Sequence, residues 1–215
     1  MKDAKYPMDE SPFHSGERKF QARFDSTRLA DRIASLTMHD TLLEDDRAFI
    51  ERMDMFFLAT SDAEGNLDCS YKGGEPGFVR VIDEKTVAFP SYDGNGMFMS
   101  GGNISQHAKV GMLFLDWEKQ RRMRLNGTAS IDFDDPLMAE YAEAQFIVRV
   151  RVERVFPNCP RYIHKMAVVE RSKFVPHAAC ETPDADWKAH FEEALPADQQ
   201  ARRAAKRTQE GQEAR

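Results

Sequence analysis

The sequence has few cysteines and lacks the signatures of metal binding and of nucleophilic hydrolysis. Its three cysteines, Cys69, Cys159 and Cys180, are an odd number at spacings that match neither a zinc motif nor a disulfide framework, so we expect reduced thiols. The six histidines show no H-E-x-x-H spacing, and no G-x-S-x-G elbow occurs. These absences disfavour a metalloenzyme or a serine hydrolase, and we expect no metal site.

Long apolar runs are also absent. No stretch approaches the roughly 20 residues that a membrane helix needs, and no charged-then-apolar leader precedes a cleavage site of small residues. With 41% hydrophobic and 31% charged residues, the composition is typical of a soluble globular protein. We therefore expect a cytoplasmic protein that does not engage a membrane.

The chain has no positive charge excess. Its net charge is −6 at pH 7, although the arginines at 121–124 and at 149–154 could form local basic patches. A dedicated nucleic-acid binder usually concentrates positive charge over a whole face. We expect no nucleic-acid partner.

Length and polarity predict one domain with two polar ends. A chain of 215 residues can build one sizeable core and is short for two domains. Residues 1–12 lack periodicity and are expected to be mobile, whereas residues 13–180 contain the periodic segments and form the predicted domain. Residues 181–215 become rich in Ala, Gln, Arg and Glu without a hydrophobic stripe, which predicts a helical or disordered tail.

Within the predicted domain, helical spacing comes first and β patterns follow. Predicted helix starts are Ser15, Ser26, Glu44 and Asp135. Strands are predicted over 55–61, 67–72, 78–82, 86–91, 110–116, 123–131 and 148–153. The run 110–115 is apolar without alternation. We therefore expect both its faces to be covered, one by the barrel interior and the other by helices or a second subunit.

The most informative segment is 73–129, where β-patterned runs alternate with turns rich in Gly and Asn. These residues tolerate positive φ and leave backbone N–H groups free to approach an anion, so the pattern suits an antiparallel barrel that cradles a ligand. The order and spacing of its motifs resemble those of the pyridoxamine 5'-phosphate oxidase-like FMN-binding split barrels. The matching motifs are Ser70-Tyr71-Lys72-Gly73, Pro76-Gly77-Phe78-Val79, Asp93-Gly94-Asn95, Asn103-Ile104 and Leu125-Asn126-Gly127.

The resemblance implies a fold that is mainly β with flanking helices (α+β), built on an antiparallel six-stranded FMN-binding split barrel. It also implies FMN as the cofactor, bound at the subunit interface of a homodimer. We expect a flavin-dependent oxidoreductase that acts on a small molecule. The alternatives are a non-catalytic module that binds or stores flavin nucleotides and, third, a barrel adapted to haem or a deazaflavin.

Candidate flavin contacts come from strand geometry and from the resemblance. Ser70 and Lys72 are two residues apart on one predicted strand, so their hydroxyl and ammonium groups share a face and suit one phosphate. By resemblance, the isoalloxazine ring lies against Phe78, Val79 and Arg80, which contact it largely through their main chain. The other candidate contacts are Ser91, Asn95, Ser100, Asn103, Trp117, Arg124 and Asn126. The alternatives are ordinary exposed side chains for the charged residues and, for Trp117, a structural place at a subunit interface.

One departure from the family concerns the phosphate. Pyridoxamine phosphate oxidases carry an Arg-Lys pair in a region where this chain has Met97, Phe98 and Met99. Asn95, Ser100 and Asn103 are polar replacements without charge. The phosphate must therefore be bound differently, and a vitamin B6 substrate is disfavoured. We assign no general acid or base.

Overall fold

The computed structural model describes residues 11–178 and 180–213, so most of the N-terminal segment expected to be mobile lies outside the described residues. The helices are α1 (Ser15–Arg23), α2 (Thr27–Thr37), α3 (Glu44–Ile50), α4 (Met99–Gln106) and α5 (Ala197–Glu213). The strands are β1 (Met55–Ser61), β2 (Leu67–Gly73), β3 (Arg80–Asp83), β4 (Thr86–Ser91), β5 (Lys109–Asp116), β6 (Arg121–Asp132) and β7 (Phe146–Pro157). Two 3₁₀ helices cover Pro136–Glu140 and Asp186–Ala194.

The strands form one antiparallel sheet in the order β2-β1-β5-β6-β7-β4-β3. The sheet curls around its core, so that strands far apart in the sheet order come into contact. The ring of Phe56 on β1 packs edge-on against the ring of Phe89 on β4, with centroids 4.9 Å apart. Phe114 on β5 also packs against the Phe56 ring, with centroids 5.3 Å apart. The predicted fold class, mainly β with flanking helices, is confirmed. The sheet has seven strands where we expected six, because every β-patterned run of the sequence pairs into it.

Alternation along the strands separates the core from an outward face. On β5, Val110, Met112 and Phe114 point inward and are buried, whereas Gly111 and Leu113 point outward and are half-buried. We expected both faces of this run to be covered. In the single chain only the inward face is fully covered, and the outward one keeps apolar surface in contact with solvent.

A β-bulge bends the two longest strands. The register between β6 and β7 shifts between Asn126 and Gly127. A Cβ atom at Gly127 would lie 2.3 Å from the carbonyl oxygen of Arg151, closer than any side chain can approach, so this position requires glycine. Because a bulge increases local twist, it helps these long strands to follow the curvature of the barrel.

The first helix begins at Ser15 as predicted, but the residue before it is the N-cap. His14, rather than Ser15, is the N-cap of α1, and its Nδ1 accepts a hydrogen bond from the backbone N–H of Gly16 at 3.1 Å. The carboxylate of Glu17 accepts in return from the backbone N–H of His14 at 3.0 Å. Ser26 is the N-cap of α2 as predicted, but its hydroxyl makes no capping bond.

Asp135 ties the β6–β7 connection to the sheet. It is the N-cap of the 3₁₀ helix Pro136–Glu140, at the position where we expected a helix to start, and its side chain, 1% exposed, is bonded on both oxygens. Arg149 on β7 donates from Nε at 2.5 Å and from a terminal nitrogen at 2.9 Å, and the Leu137 backbone N–H donates at 2.9 Å. The bond to Arg149 holds the pKa of Asp135 below its ordinary value.

The C-terminal segment, residues 164–213, adds little to the core. Among the described residues, no Val, Leu, Ile, Met or aromatic side chain beyond Ile163 is buried. The tail is helical over Asp186–Ala194 and Ala197–Glu213. No helix within the described ranges has the length and apolarity to cross a bilayer.

Candidate ligand-binding cleft

A cleft of about 1500 Å³ opens where the two ends of the curled sheet approach each other. It is lined by β2, at one end of the sheet order, and by β4, near the other. Asp68, Ser70 and Lys72 on β2 pair with buried residues of β1 and share their inward face. Because polar side chains are costly to bury, the apolar core ends at β1 and the cleft between β2 and β4 stays open.

Lys72 is a cation without a direct partner in this cleft. It is half-buried, and among the described residues it forms neither a hydrogen bond nor an ion pair. Burial lowers the pKa of Lys72 below its ordinary value, while the charge of Asp68 acts in the opposite direction from beyond ion-pair distance. The site therefore favours an anionic ligand, which would offset the cost of burying the ammonium.

Helix α4 closes one end of the cleft. The hydroxyls of Ser70 and Ser100 lie 2.9 Å apart, and Ser100 donates to the carboxylate of Asp68 at 3.2 Å. Asn103 is used for packing, because its amide donates to the Thr60 hydroxyl at 3.0 Å, and it does not line the cleft. Two of the predicted α4 contacts thus hold the helix against β1 and β2.

The loop after β4 forms another side of the cleft. Ser91 lies on the inward face of β4, like Phe89, and is half-buried at the cleft wall. Asn95 also lines the cleft, and its side-chain oxygen accepts from the Met97 backbone N–H at 3.0 Å, which shapes the loop. Gly96 has φ +76°, so the turn into α4 needs a residue without a side chain.

Aromatic side chains supply apolar walls. Phe78 lines the cleft and packs against Phe56 with centroids 5.8 Å apart, and Trp117 lines it half-buried at the end of β5. Burial, with smaller effects of nearby charges, raises the pKa of Tyr92 to about 12. Tyr92 therefore remains a neutral phenol at physiological pH and can donate a hydrogen bond into the cleft.

Two buried oxygens in the cleft wall have no partner among the described residues. They are Oε1 of Gln145, just before β7, and Oγ1 of Thr182, in the C-terminal segment. A buried acceptor without a donor is costly, typically about 1–3 kcal/mol. The cleft is therefore suited to a ligand that brings hydroxyl or N–H donors as well as negative charge.

Several predicted contacts lie away from the cleft of their own chain. Val79 is fully buried in the core. Arg80 points to the other side of β3, where it forms an ion pair with Glu140 and lies 5.2 Å from the centroid of the Tyr141 ring. Neither side chain lines the cleft, so any flavin contact from this strand would have to come from its main chain.

Arg124 and Asn126 belong to the outer face, which we define as the outward side of β2, β1, β5 and β6. One row across it comprises Tyr71, Phe57, Leu113 and Arg124. The next comprises Cys69, Ala59, Gly111 and Asn126. Tyr71 is 60% exposed and Leu67, at the margin, 85%. The outer face therefore presents apolar surface flanked by these two polar residues.

The three cysteines are free thiols, and all of them, including Cys159, are exposed. The side chain of Arg161 donates to the Sγ of Cys159 at 3.1 Å. Hydrogen bonds from Arg161 lower the pKa of the Cys159 thiol. Cys159 does not line the cleft, so it stays without an assigned role in it.

The far wall of the cleft comes from the C-terminal segment, which we did not predict as part of the site. Arg171 forms an ion pair with Asp54 at 2.9 Å, and Lys188 forms one with Asp93. Lys188 had no detectable sequence signal, because it lies in a segment without periodicity. Asp68 could have been found, since strand alternation places it on the same face as Lys72.

A family model described as pyridoxamine 5'-phosphate oxidase matches residues 42–171. No curated protein matches the chain. Among solved structures, HupZ of Group A Streptococcus has a TM-score of 0.46 and 19% identity, over 59% of this chain and 99% of that one. An FMN-binding protein from Syntrophomonas wolfei has a TM-score of 0.41 and 11% identity, over 67% and 95%. HutZ, the heme storage protein from Vibrio cholerae, has a TM-score of 0.38 and 15% identity, over 52% and 91%. The family match spans more than half of the 215 residues, so the chain belongs to the pyridoxamine 5'-phosphate oxidase family.

Proposed function

We propose that the cleft binds FMN and that the protein is a cytoplasmic flavin-dependent oxidoreductase acting on a small molecule. The observation that carries this proposal is Lys72, a half-buried ammonium without a direct partner among the described residues, beside the hydroxyl of Ser70. A phosphate group would give this cation a counter-ion and charge-assisted hydrogen bonds. The proposal includes neither a nucleic-acid nor a membrane partner.

The rest of the cleft fits a flavin nucleotide. The ribityl hydroxyls and the ring N–H of FMN are donors of the kind that the buried oxygens of Gln145 and Thr182 lack. Phe78 and Trp117 offer apolar surface for a flat ring. At about 1500 Å³ the cleft exceeds the usual volume of a single-ligand pocket, about 300–1,000 Å³, which leaves room for a substrate.

When bound, the flavin supplies the redox chemistry, and the protein supplies binding, orientation and electrostatics. In this proposal Lys72 and Ser70 hold the phosphate and Ser91 faces it from β4. Tyr92 donates a hydrogen bond from its neutral hydroxyl. The C-terminal wall excludes water from the space between β2 and β4.

We further propose a homodimer with the flavin at the subunit interface. The outer face leaves Tyr71 and Leu67 exposed in the single chain, and a second copy would bury them. Arg124 and Asn126 lie on this face rather than in the cleft of their own chain. They could therefore contact a flavin only if it is bound by the partner subunit.

The second candidate is a non-catalytic module that binds or stores flavin nucleotides. It is favoured by the uncharged residues Met97, Phe98 and Met99, which stand where the family resemblance implies the Arg-Lys pair of the oxidases. Turnover separates the two functions. Consumption of NAD(P)H in the presence of FMN and an electron acceptor supports the oxidoreductase, whereas tight FMN binding without turnover supports the module.

The binding site is tested by titrating the purified protein with FMN and with riboflavin while following flavin fluorescence. We expect Lys72→Ala to weaken FMN binding by about 10- to 100-fold, since charge-assisted bonds of about 1.5–3 kcal/mol are lost, and to change riboflavin binding little. Lys206→Ala, at an exposed position of α5, is the matched control. If the wild-type protein binds no flavin, the proposed function is wrong.

A further inference from the structure

We propose that Lys188 is the second cation of the anion site, contributed by the C-terminal segment. This inference rests on the proposed function and deepens it. Lys188 lies in the 3₁₀ helix Asp186–Ala194, beyond the family-matched residues 42–171. It lines the cleft from the wall opposite β2.

The ammonium of Lys188 is buried and only partly satisfied. The residue is 7% exposed, and lysine is rarely buried to this extent without partners. Its Nζ donates to a carboxylate oxygen of Asp93 and, at 3.0 Å, to the side-chain oxygen of Gln199. An ammonium has three donors, and with these two partners among the described residues one N–H remains for a ligand in the cleft.

Lys188 places a cation beside the loop of residues 92–98, which contains no Lys or Arg of its own. Asp93, its partner, lies two residues after Ser91 and begins the glycine-rich turn that leads to α4. The turn continues into Met97, Phe98 and Met99, which carry no charge. Lys188 thus brings positive charge from the C-terminal segment to the loop that lacks it.

Charge balance also calls for a second cation. The lining of the cleft has more acids than bases, so Lys72 alone would leave a strongly negative site before a phosphate dianion arrives. The acids are Asp54, Asp68, Glu75, Asp93, Glu143, Glu170, Asp184 and Asp186, and the bases are Lys72, Arg171, Lys188 and Arg202. Lys188 offsets part of this negative charge from the wall opposite β2, where its ammonium can contact an incoming phosphate.

The competing explanation is that Lys188 has only a structural role, in which its ion pair with Asp93 holds the C-terminal segment against the loop after β4. The variants Lys188→Gln and Asp93→Asn separate the two explanations, because both remove the ion pair but change the charge of the cleft in opposite directions. If Lys188 binds phosphate, Lys188→Gln weakens FMN about 10- to 100-fold and leaves riboflavin within about threefold, whereas Asp93→Asn strengthens FMN. If Lys188 has only this structural role, both variants weaken FMN and riboflavin alike.

Arg207→Gln is the matched control, since it removes another base of the same segment, one that pairs with Glu192 and does not line the cleft. We expect it to affect FMN and riboflavin equally. Lys188→Arg keeps the charge and should retain the preference for FMN, which provides a second variant if Lys188→Gln does not fold. Equal weakening of both ligands by Lys188→Gln overturns the role of Lys188.

The outcome for Lys188 is distinguishable from the outcome for the site as a whole. If wild-type protein binds FMN and Lys72→Ala lowers FMN affinity selectively, the flavin site stands whatever Lys188→Gln does. If the wild type binds no FMN, the proposed function fails first and the role of Lys188 fails with it.

Discussion

At the scale of single residues, the space around a glycine determines whether a side chain can be accommodated at its position. We expect Gly127→Ala to lower the free energy of unfolding by about 2–3 kcal/mol, because its Cβ would meet the Arg151 carbonyl oxygen at 2.3 Å. Gly102→Ala should instead raise it by about 0.5–1 kcal/mol, since that helical glycine of α4 has open space around it. Urea denaturation measures both, and equal midpoints for the two variants would contradict the bulge argument.

The site residues differ in how far the sequence could predict them. Strand alternation alone placed Ser70 and Lys72 on one face, which is the arrangement observed. The orientation of the Arg80 side chain depends on its ion pair with Glu140. Glu140 is distant in sequence, and no local pattern predicts the contact. Lys188 was missed for the same reason, since its burial depends on Asp93 and not on its neighbours in the chain.

At the scale of elements, Asp135 fastens the β6–β7 connection. We expect Asp135→Asn to lower the free energy of unfolding by about 1.5–3 kcal/mol at pH 7, because Arg149 loses a charged partner. Asp134→Ser, which removes the neighbouring carboxylate at an exposed position, is the control.

The same carboxylate predicts a pH dependence. Because the folded-state pKa of Asp135 is lowered from 3.8, its contribution is fully present above that value and is lost as the pH falls below it through the folded pKa. The wild type should therefore lose its advantage over Asp135→Asn as the pH falls below about 4. Denaturation at several pH values checks this, and a constant difference down to pH 2 would exclude the ion pair as its source.

Periodicity predicted the elements better than their surroundings. The seven β-patterned runs are all strands, since alternation and turn residues are local signals. The covering of β5 could not be predicted, because an apolar run does not reveal whether its second face meets a helix or another subunit. The cap at His14 was missed because an imidazole nitrogen replaced the hydroxyl that usually caps a helix.

At the scale of the whole molecule, the proposed dimer can be tested on the outer face. Ala59 lies at its centre, opposite Cys69 and Gly111, and is exposed in the single chain. We expect Ala59→Arg to yield a folded monomer by light scattering, because a charged side chain would be buried in the interface. Ala201→Arg, the same substitution on the exposed side of α5, should leave the dimer intact. A wild-type monomer at micromolar concentration would rule out the dimer.

Strand β2 has a further consequence in such a dimer. Its inward row, Asp68, Ser70 and Lys72, faces the cleft, while Cys69 and Tyr71 face outward toward the second copy. One edge strand would thus be ordered both by ligand and by association, so each event would favour the other by the same free energy. The apparent affinity for flavin would then rise with protein concentration, and the dissociation constant of the dimer would fall as flavin is added.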